Sequence, residues 1–433
     1  CWIDEIKGVY ADVSQLEKPV EVHRAQAMCY AWIYAQEQKT EKIGVQMTYG
    51  NLDTEELKFF REEYTLEELG LWYQKLLDRY HKWIAYQIAW KKERNVSMSD
   101  LEFPFEYREG QRKIVSGVYH TISTERQIFI QAPTGVGKTM STIFPAVRAV
   151  GAGLGENIFY LTAKTITRTV AEEAFSILKA HGLKFKVITI TAKEKLCFCD
   201  KTECNPENCL WARGHLDRVN DAVFELWTTQ DSYDRNTLLE YAKKWQVCPF
   251  EMCLDLAVWV DAVICDYNYV FDPNVYLKRF FGEGTFGEYI FLIDEAHNLR
   301  NVFHGTKRAK NLYDLTHGIP KILLTATPLQ NSLTDLHGLV SFIDPRIFGS
   351  EKVFNRRFVD GCDYEELKQE LLPVLYRTLR RDVGKYMAFS KRTCITVDFH
   401  LSAEEKELYD VTNDFLRRDP LYSIPNANRG LII

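Results

Sequence analysis

The chain has no run of about 18 apolar residues, so it offers no membrane span. Its opening, Cys1-Trp2-Ile3-Asp4, holds neither the basic nor the apolar region of a signal peptide. A cytoplasmic location is therefore expected. A basic excess is also missing. The net charge of −6 argues against a strongly basic coat for nucleic acid, although it allows a local groove. There is no internal repeat, no low-complexity segment and no C-x-x-C pair of the kind common zinc modules use. No initiator methionine opens the chain, and both ends read like interior sequence, as expected of a fragment.

What is there is ordinary globular material. Apolar residues make up 46% and charged residues 26% of 433 positions, enough for two to four folding units. Residues 1–50 read strand, helix, strand: Trp2–Lys7 alternates, Val22–Gln36 has one apolar face, and Lys42–Tyr49 is another strand candidate. Residues 53–98 are expected to be mostly helical and to close on a charged turn at Lys91-Lys92-Glu93-Arg94. From about residue 103, short apolar strands alternate with helices. The strands are Gln127–Gln131, Asn157–Leu161, Lys186–Ile190, Asp261–Cys265, Tyr289–Ile293 and Lys321–Thr325, and a helix is expected over Ile166–Ala180. That alternation predicts a parallel sheet covered on both faces. After about 345 the chain is helical and charged, with a strand-like stretch at Thr393–Phe399.

Two motifs carry chemistry. Gln131-Ala132-Pro133-Thr134-Gly135-Val136-Gly137-Lys138-Thr139 follows a strand and opens a helix, which is the context a phosphate-binding loop requires. Thr134, Gly135, Val136 and Gly137 would wrap the phosphates of ATP with backbone N–H groups. Lys138 would reach the β- and γ-phosphates, and the Thr139 hydroxyl would hold Mg²⁺. Ile293-Asp294-Glu295-Ala296-His297 ends a second apolar strand; Asp294 would hold Mg²⁺ and Glu295 would orient and polarise the attacking water.

Together these motifs resemble the superfamily 2 helicases. Upstream, Phe105-Glu106-Tyr107-Arg108-Glu109-Gly110-Gln111 resembles their adenine-reading segment, in which Gln111 would bond the base.

Seven of the eleven cysteines fall between Cys197 and Cys265. In a chain without a secretion signal they are expected to be reduced thiols or metal ligands. Cys197, Cys204, Cys209 and Cys248 are separated by gaps of six, four and thirty-eight residues. Four thiolates suit zinc or an iron–sulfur cluster, and the residue chemistry alone does not choose. Thr191–Cys197 and Cys248-Pro249-Phe250, followed by Ala262–Tyr269, resemble the XPD/DinG-type helicases. That family inserts a 4Fe–4S domain within its first motor lobe, which implies a cluster at these four cysteines. Cys199 is an extra thiol that could replace Cys197 or Cys204. Cys253 and Cys265 read as core residues. This resemblance spans about 105–299.

Beyond Leu299 the resemblance changes. Lys321–Asn331, Leu336–Phe342 and Arg377-Thr378-Leu379-Arg380-Arg381 are similar to Swi/Snf-type DNA translocases. Only 27 residues separate His297 from Thr325, which leaves no room for the arch domain of the XPD/DinG type. The chain reads as a join of two motor families at a shared acidic box; a genuine fusion and an artefactual join both fit. Thr325 and Thr327 would couple nucleotide state to the nucleic-acid groove in either family.

At the N-terminus, Glu5 and Lys7 on one strand face give the Glu-x-Lys half of a PD-(D/E)XK nuclease site. Gln26 and Tyr30 on the next helix resemble the Gln-x-x-x-Tyr element of RecB-type nucleases. Solvated charges on an amphipathic strand are the alternative.

The expected architecture is α/β: a partial nuclease-like domain and helical linker (1–98), a RecA-like P-loop lobe (99–345) with an inserted cysteine-rich, iron–sulfur helical domain (195–260), and a helical extension (346–433). The expected function is the ATP-binding and ATP-hydrolysing lobe of a DNA helicase or translocase, acting on single strands or duplex junctions. With one lobe the chain is not expected to unwind DNA. A Mg²⁺-dependent nuclease fused to a motor, or an inactive ATP-binding fragment, are the alternatives.

Overall fold

The computed structural model describes residues 1–10, 12–133, 135–163, 165–201, 203–205, 207–272, 277–282, 287–299, 320–329, 332–378 and 401–417. The expected strand at Thr393–Phe399 lies outside the described residues.

The first fifty residues fold as the alternation requires. Strand β1 (Trp2–Val9) and strand β2 (Lys42–Asn51) pair in parallel, and the return between them is helix α1 (Glu21–Gln38). α1 lays Ala27, Met28, Ala31 and Ala35 on the sheet, where they bury with Val45, Met47 and Tyr49.

Residues 53–98 depart from expectation. Leu57–Thr65 is a strand, β3, antiparallel to β2. Its charged residues suit an edge position, where one side faces water. Thr65 then caps helix α2 (Leu66–Ser99) through a reciprocal bond with Glu68. The 34 residues of α2 run without a break through Lys91–Arg94, so the expected charged turn is helix. Those charges are fasteners. Lys91 pairs with Glu156 at 3.0 Å, Glu93 with Lys184 at 2.7 Å, and Arg94 with Asp261 at 2.7 Å.

The main sheet has eight parallel strands in the order β11-β4-β10-β9-β5-β8-β6-β7. They are β4 (Gln127–Gln131), β5 (Asn157–Thr162), β6 (Val187–Thr189), β7 (Ser232–Tyr233), β8 (Ala262–Asp266), β9 (Tyr289–Ile293), β10 (Lys321–Thr325) and β11 (Leu375–Arg377). β11 was not anticipated. It adds a strand beyond the expected boundary at residue 345, on the free edge of β4. Helices α3 (Gln111–Ser123), α4 (Lys138–Gly151) and α5 (Thr165–Ala180) flank the sheet strands. α4 buries nearly its whole length.

The cysteine-rich stretch contributes helices at His215–Thr229, Arg235–Trp245 and Pro249–Ala257. Val219, Val223, Leu226 and Trp227 share one continuous core with Phe159, Val263 and Phe291 of the sheet. The segment is therefore packed as part of the motor layer. Trp83 of α2 joins the same core, 4.7 Å from the Trp259 ring. Residues 384–433 form a second unit, of which helix Ala403–Arg417 is described. Among the described residues no helix is long and apolar enough to cross a membrane.

Candidate nucleotide site

In a parallel sheet, ligands gather beyond the carboxyl ends of the strands, where loops can close without breaking the ladder. Three such ends converge here. β4 delivers the glycine loop, β9 delivers Asp294-Glu295, and β10 delivers Thr325. They border a cavity of about 370 Å³ lined by Gly135, Gly137, Lys138, Thr139, Asp294, Glu295, His297 and Thr325, with α5 as its far wall.

Gly135 and Gly137 adopt φ of +85° and +77°, which other residues rarely tolerate. A side chain at Gly137 would also meet Gln111 Nε2 at 2.6 Å. Lys138 begins α4 and donates to the carbonyls of Ala132 and Pro133, 2.8 Å each. Burial lowers its pKa, and the Asp294 carboxylate opposes that shift. Gln111, buried at the start of α3, donates to the Val136 carbonyl at 3.3 Å. Arg108 donates to the Gly135 carbonyl at 3.0 Å. In this conformation the loop's carbonyls are thus held by Lys138 and Gln111, the side chains expected to meet a nucleotide, and by Arg108. Thr134 lies outside the described residues.

Asp294 is 9% exposed. Its Oδ2 accepts from the Tyr160 hydroxyl at 2.9 Å, and its Oδ1 accepts from the Glu295 N–H at 2.9 Å. Burial raises the Asp294 pKa above the ordinary carboxylate value, against those two hydrogen bonds. The Tyr267 hydroxyl donates to the Asp294 carbonyl. Glu295 takes a left-handed φ of +53°, an uncommon setting for a residue with a side chain. His297 Nδ1 lies 3.0 Å from Thr325 Oγ1, and the Thr327 N–H donates to that same oxygen at 3.2 Å. The acidic box and the threonine segment therefore touch directly.

Residues 162–310 match the DEAD_2 family model, and residues 237–429 match the SNF2-related domain model. The two matches overlap across the acidic box. Both resemblances read from the sequence are thus matched by family models, each over less than half of the chain. Their overlap, residues 237–310, contains the change of resemblance expected near Leu299.

Chromodomain-helicase-DNA-binding protein 7 of Homo sapiens is 37% identical over 121 residues, covering 27% of this chain and 4% of that protein. Chromodomain-helicase-DNA-binding protein 6 of Mus musculus is 39% identical over 121 residues, with the same shares of 27% and 4%. The chain thus spans about 4% of the length of these curated relatives. The Sulfolobus solfataricus SWI2/SNF2 ATPase core in complex with dsDNA overlays 76% of this chain and 56% of its own, at 17% identity and a TM-score of 0.41. A truncated XPD overlays 44% of this chain and 53% of its own, at 18% identity and a TM-score of 0.32. Neither overlay is close enough to transfer geometry.

The cysteines of the lobe sit in two groups. Cys199 Sγ is 3.9 Å from Cys209 Sγ, and the Cys199 N–H reaches Cys197 Sγ at 3.4 Å. The Lys193 pKa is raised chiefly by Cys204, with a smaller contribution from Cys248. The donor chemistry suits a thiolate-bound cluster. As positioned, no three His, Cys, Asp or Glu side chains among the described residues form a metal-holding group. Cys253 and Cys265 are fully buried core residues, as expected.

The four N-terminal residues come together. Lys7 Nζ sits 2.6 Å from Glu5 Oε1 and donates to Gln26 Oε1 at 3.1 Å. Gln26 Nε2 in turn donates to the Tyr30 hydroxyl at 3.1 Å.

The sequence reading missed Tyr160 and Arg108 at the nucleotide site. The signal for Tyr160 was present: a hydroxyl within the apolar run Ile158-Phe159-Tyr160-Leu161 must find a partner when the strand is buried. Arg108 carried no signal beyond its nearness to Gln111.

Proposed function

We propose that this chain is the ATP-binding and ATP-hydrolysing lobe of a DNA helicase or translocase. The observation that supports it best is the convergence of Lys138 and Thr139 with Asp294 and Glu295 on one cavity. Mg²⁺ bound with ATP would neutralise phosphate charge during transfer. Lys138 would exchange the Ala132 and Pro133 carbonyls for phosphate oxygens. The N–H groups at the start of α4 would face the phosphates with the helix dipole behind them. Thr139 and Asp294 would hold the ion, and Glu295 would orient and polarise the attacking water. Gln111 would leave the Val136 carbonyl to read adenine. Thr325 and Thr327, tied to the acidic box through His297, would carry nucleotide state toward the nucleic acid. DNA, as single strands or duplex junctions, is the proposed partner. The test is equilibrium titration with ATP–Mg²⁺ beside steady-state hydrolysis with and without DNA. Binding together with DNA-stimulated turnover is expected. No binding discards the reading, and binding without turnover leaves an ATP-binding remnant.

We infer also that Cys197, Cys204, Cys209 and Cys248 hold a 4Fe–4S cluster, with Cys199 as a spare thiol. Purified anaerobically, the protein is expected to be brown and to contain iron and sulfide. Cys209→Ser should remove the colour and loosen residues 195–260. Stoichiometric zinc without iron would replace the cluster by a structural zinc site.

The string Glu5–Lys7–Gln26–Tyr30 favours a PD-(D/E)XK-type ancestry for residues 1–98. In that reading Glu5 would be one carboxylate of a Mg²⁺ site and Lys7 the group that polarises water.

A further inference from the structure

Tyr160 occupies the middle of β5 and is fully buried. Its neighbours Phe159 and Leu161 point into the core on one side of the sheet, so by alternation Tyr160 points to the other. A phenylalanine would fill the same space. The hydroxyl is the part that needs explaining, because a buried O–H without partners is costly. It donates to Asp294 Oδ2 at 2.9 Å. Asp294 follows the end of β9, the strand paired with β5.

We propose that Tyr160 is a positioning residue for Mg²⁺ at this site, fixing the Asp294 carboxylate through its phenol. The proposal rests on the ATP–Mg²⁺ reading above and adds to it a residue that touches neither nucleotide nor ion. A hydroxyl has one proton and two lone pairs. With the Tyr160 proton committed to Oδ2, the Asp294 carboxylate is fixed in rotation about its own bond. The Tyr267 hydroxyl on the Asp294 carbonyl holds the backbone of the same residue. The carboxylate is thus set before the ion arrives, and binding need not order it.

The test is Tyr160→Phe in the full 433-residue chain. A fluorescent ATP analogue is held at fixed concentration while Mg²⁺ is titrated, with a parallel series in EDTA. The half-saturating Mg²⁺ concentration should rise about tenfold, the size of one lost hydrogen bond to a charged group. Affinity in EDTA should stay unchanged, and excess Mg²⁺ should restore full binding. A residue that only filled space would weaken binding equally in both series and leave the Mg²⁺ midpoint where it was; that result overturns the proposal. In an Asp294→Asn background, Tyr160→Phe should move the midpoint no further, and a second full shift there also overturns it. If the unmodified chain binds no nucleotide at any Mg²⁺ concentration, the nucleotide reading falls and this one falls with it.

Discussion

Lys138→Ala is expected to lower nucleotide affinity about a hundredfold while leaving the fold in place. The ammonium is poised over the cavity, and among the described residues its hydrogen-bond partners are the Ala132 and Pro133 carbonyls, at 2.8 Å each. Those bonds lie within the loop and support no part of the core. Removing them costs little, and removing a desolvated cation offsets part of even that, since burial already works against its charged form. In the bound state the balance reverses. A charge facing two phosphates in a half-enclosed site contributes about 3 kcal/mol through charge-assisted bonds, or roughly a hundredfold in affinity. Titration of the variant and parent with the same fluorescent ATP analogue, beside a denaturant curve for each, measures both halves. Equal affinities would remove the glycine loop from the nucleotide site, whatever the fold.

Arg94→Ala should cost about 3 kcal/mol of stability, far more than any other charge removal along α2. The Arg94 and Asp261 side chains are only 7% and 5% exposed, and the pair does not stand alone. Asp261 Oδ2 also accepts from Trp90 Nε1 at 2.9 Å and from the Lys186 N–H at 2.8 Å. The Lys186 ammonium, fully buried, lies 4.1 Å from the Trp90 ring centre and donates to Trp227 O, Gln230 O and Asp231. Removing Arg94 leaves a carboxylate in a low-dielectric pocket with two neutral donors. Lys91→Ala is the control: its Glu156 partner is half exposed, and such surface pairs contribute under about 1 kcal/mol. Denaturant unfolding gives the difference, and hydrogen exchange along Leu66–Ser99 shows whether α2 lifts from the sheet. A loss for Arg94→Ala no larger than for Lys91→Ala would mean the buried network is not what fastens α2.

The sheet of the motor lobe was legible because buried parallel strands are nearly uniform apolar runs, and Phe129, Phe159, Val263, Phe291 and Leu323 all sit where those runs put them. The site was legible for a different reason: glycine spacing and the Asp-Glu pair are chemical requirements that hold before any packing is known. Leu57–Thr65 was not legible. Lys58, Arg61, Glu62 and Glu63 make it look like the charged helix that follows, and only its pairing with β2 makes it a strand. The Lys91–Arg94 cluster misled in the same way, because a charge run reads as a turn until its partners Glu156, Lys184 and Asp261 arrive from elsewhere in the chain. Tyr160 and Arg108 bind atoms far off in sequence, which no local pattern encodes. The identity of the four cysteines was readable as donor chemistry, but their grouping was not.

The position of β4 bears on how a ribosome must make this protein. The strand that carries the glycine loop ends at Gln131, yet its two flanking strands begin at Lys321 and Leu375. From residue 131 to residue 321 the ribosome adds 190 positions before the first edge of β4 can be filled. At about 5–20 residues per second, that is roughly ten to forty seconds in which an apolar strand waits unpaired. Contacts this distant in sequence also form slowly once their partners exist. Nascent chains stalled between residues 131 and 321 should therefore be the ones most dependent on holdase chaperones, and release should coincide with the emergence of Lys321–Thr325.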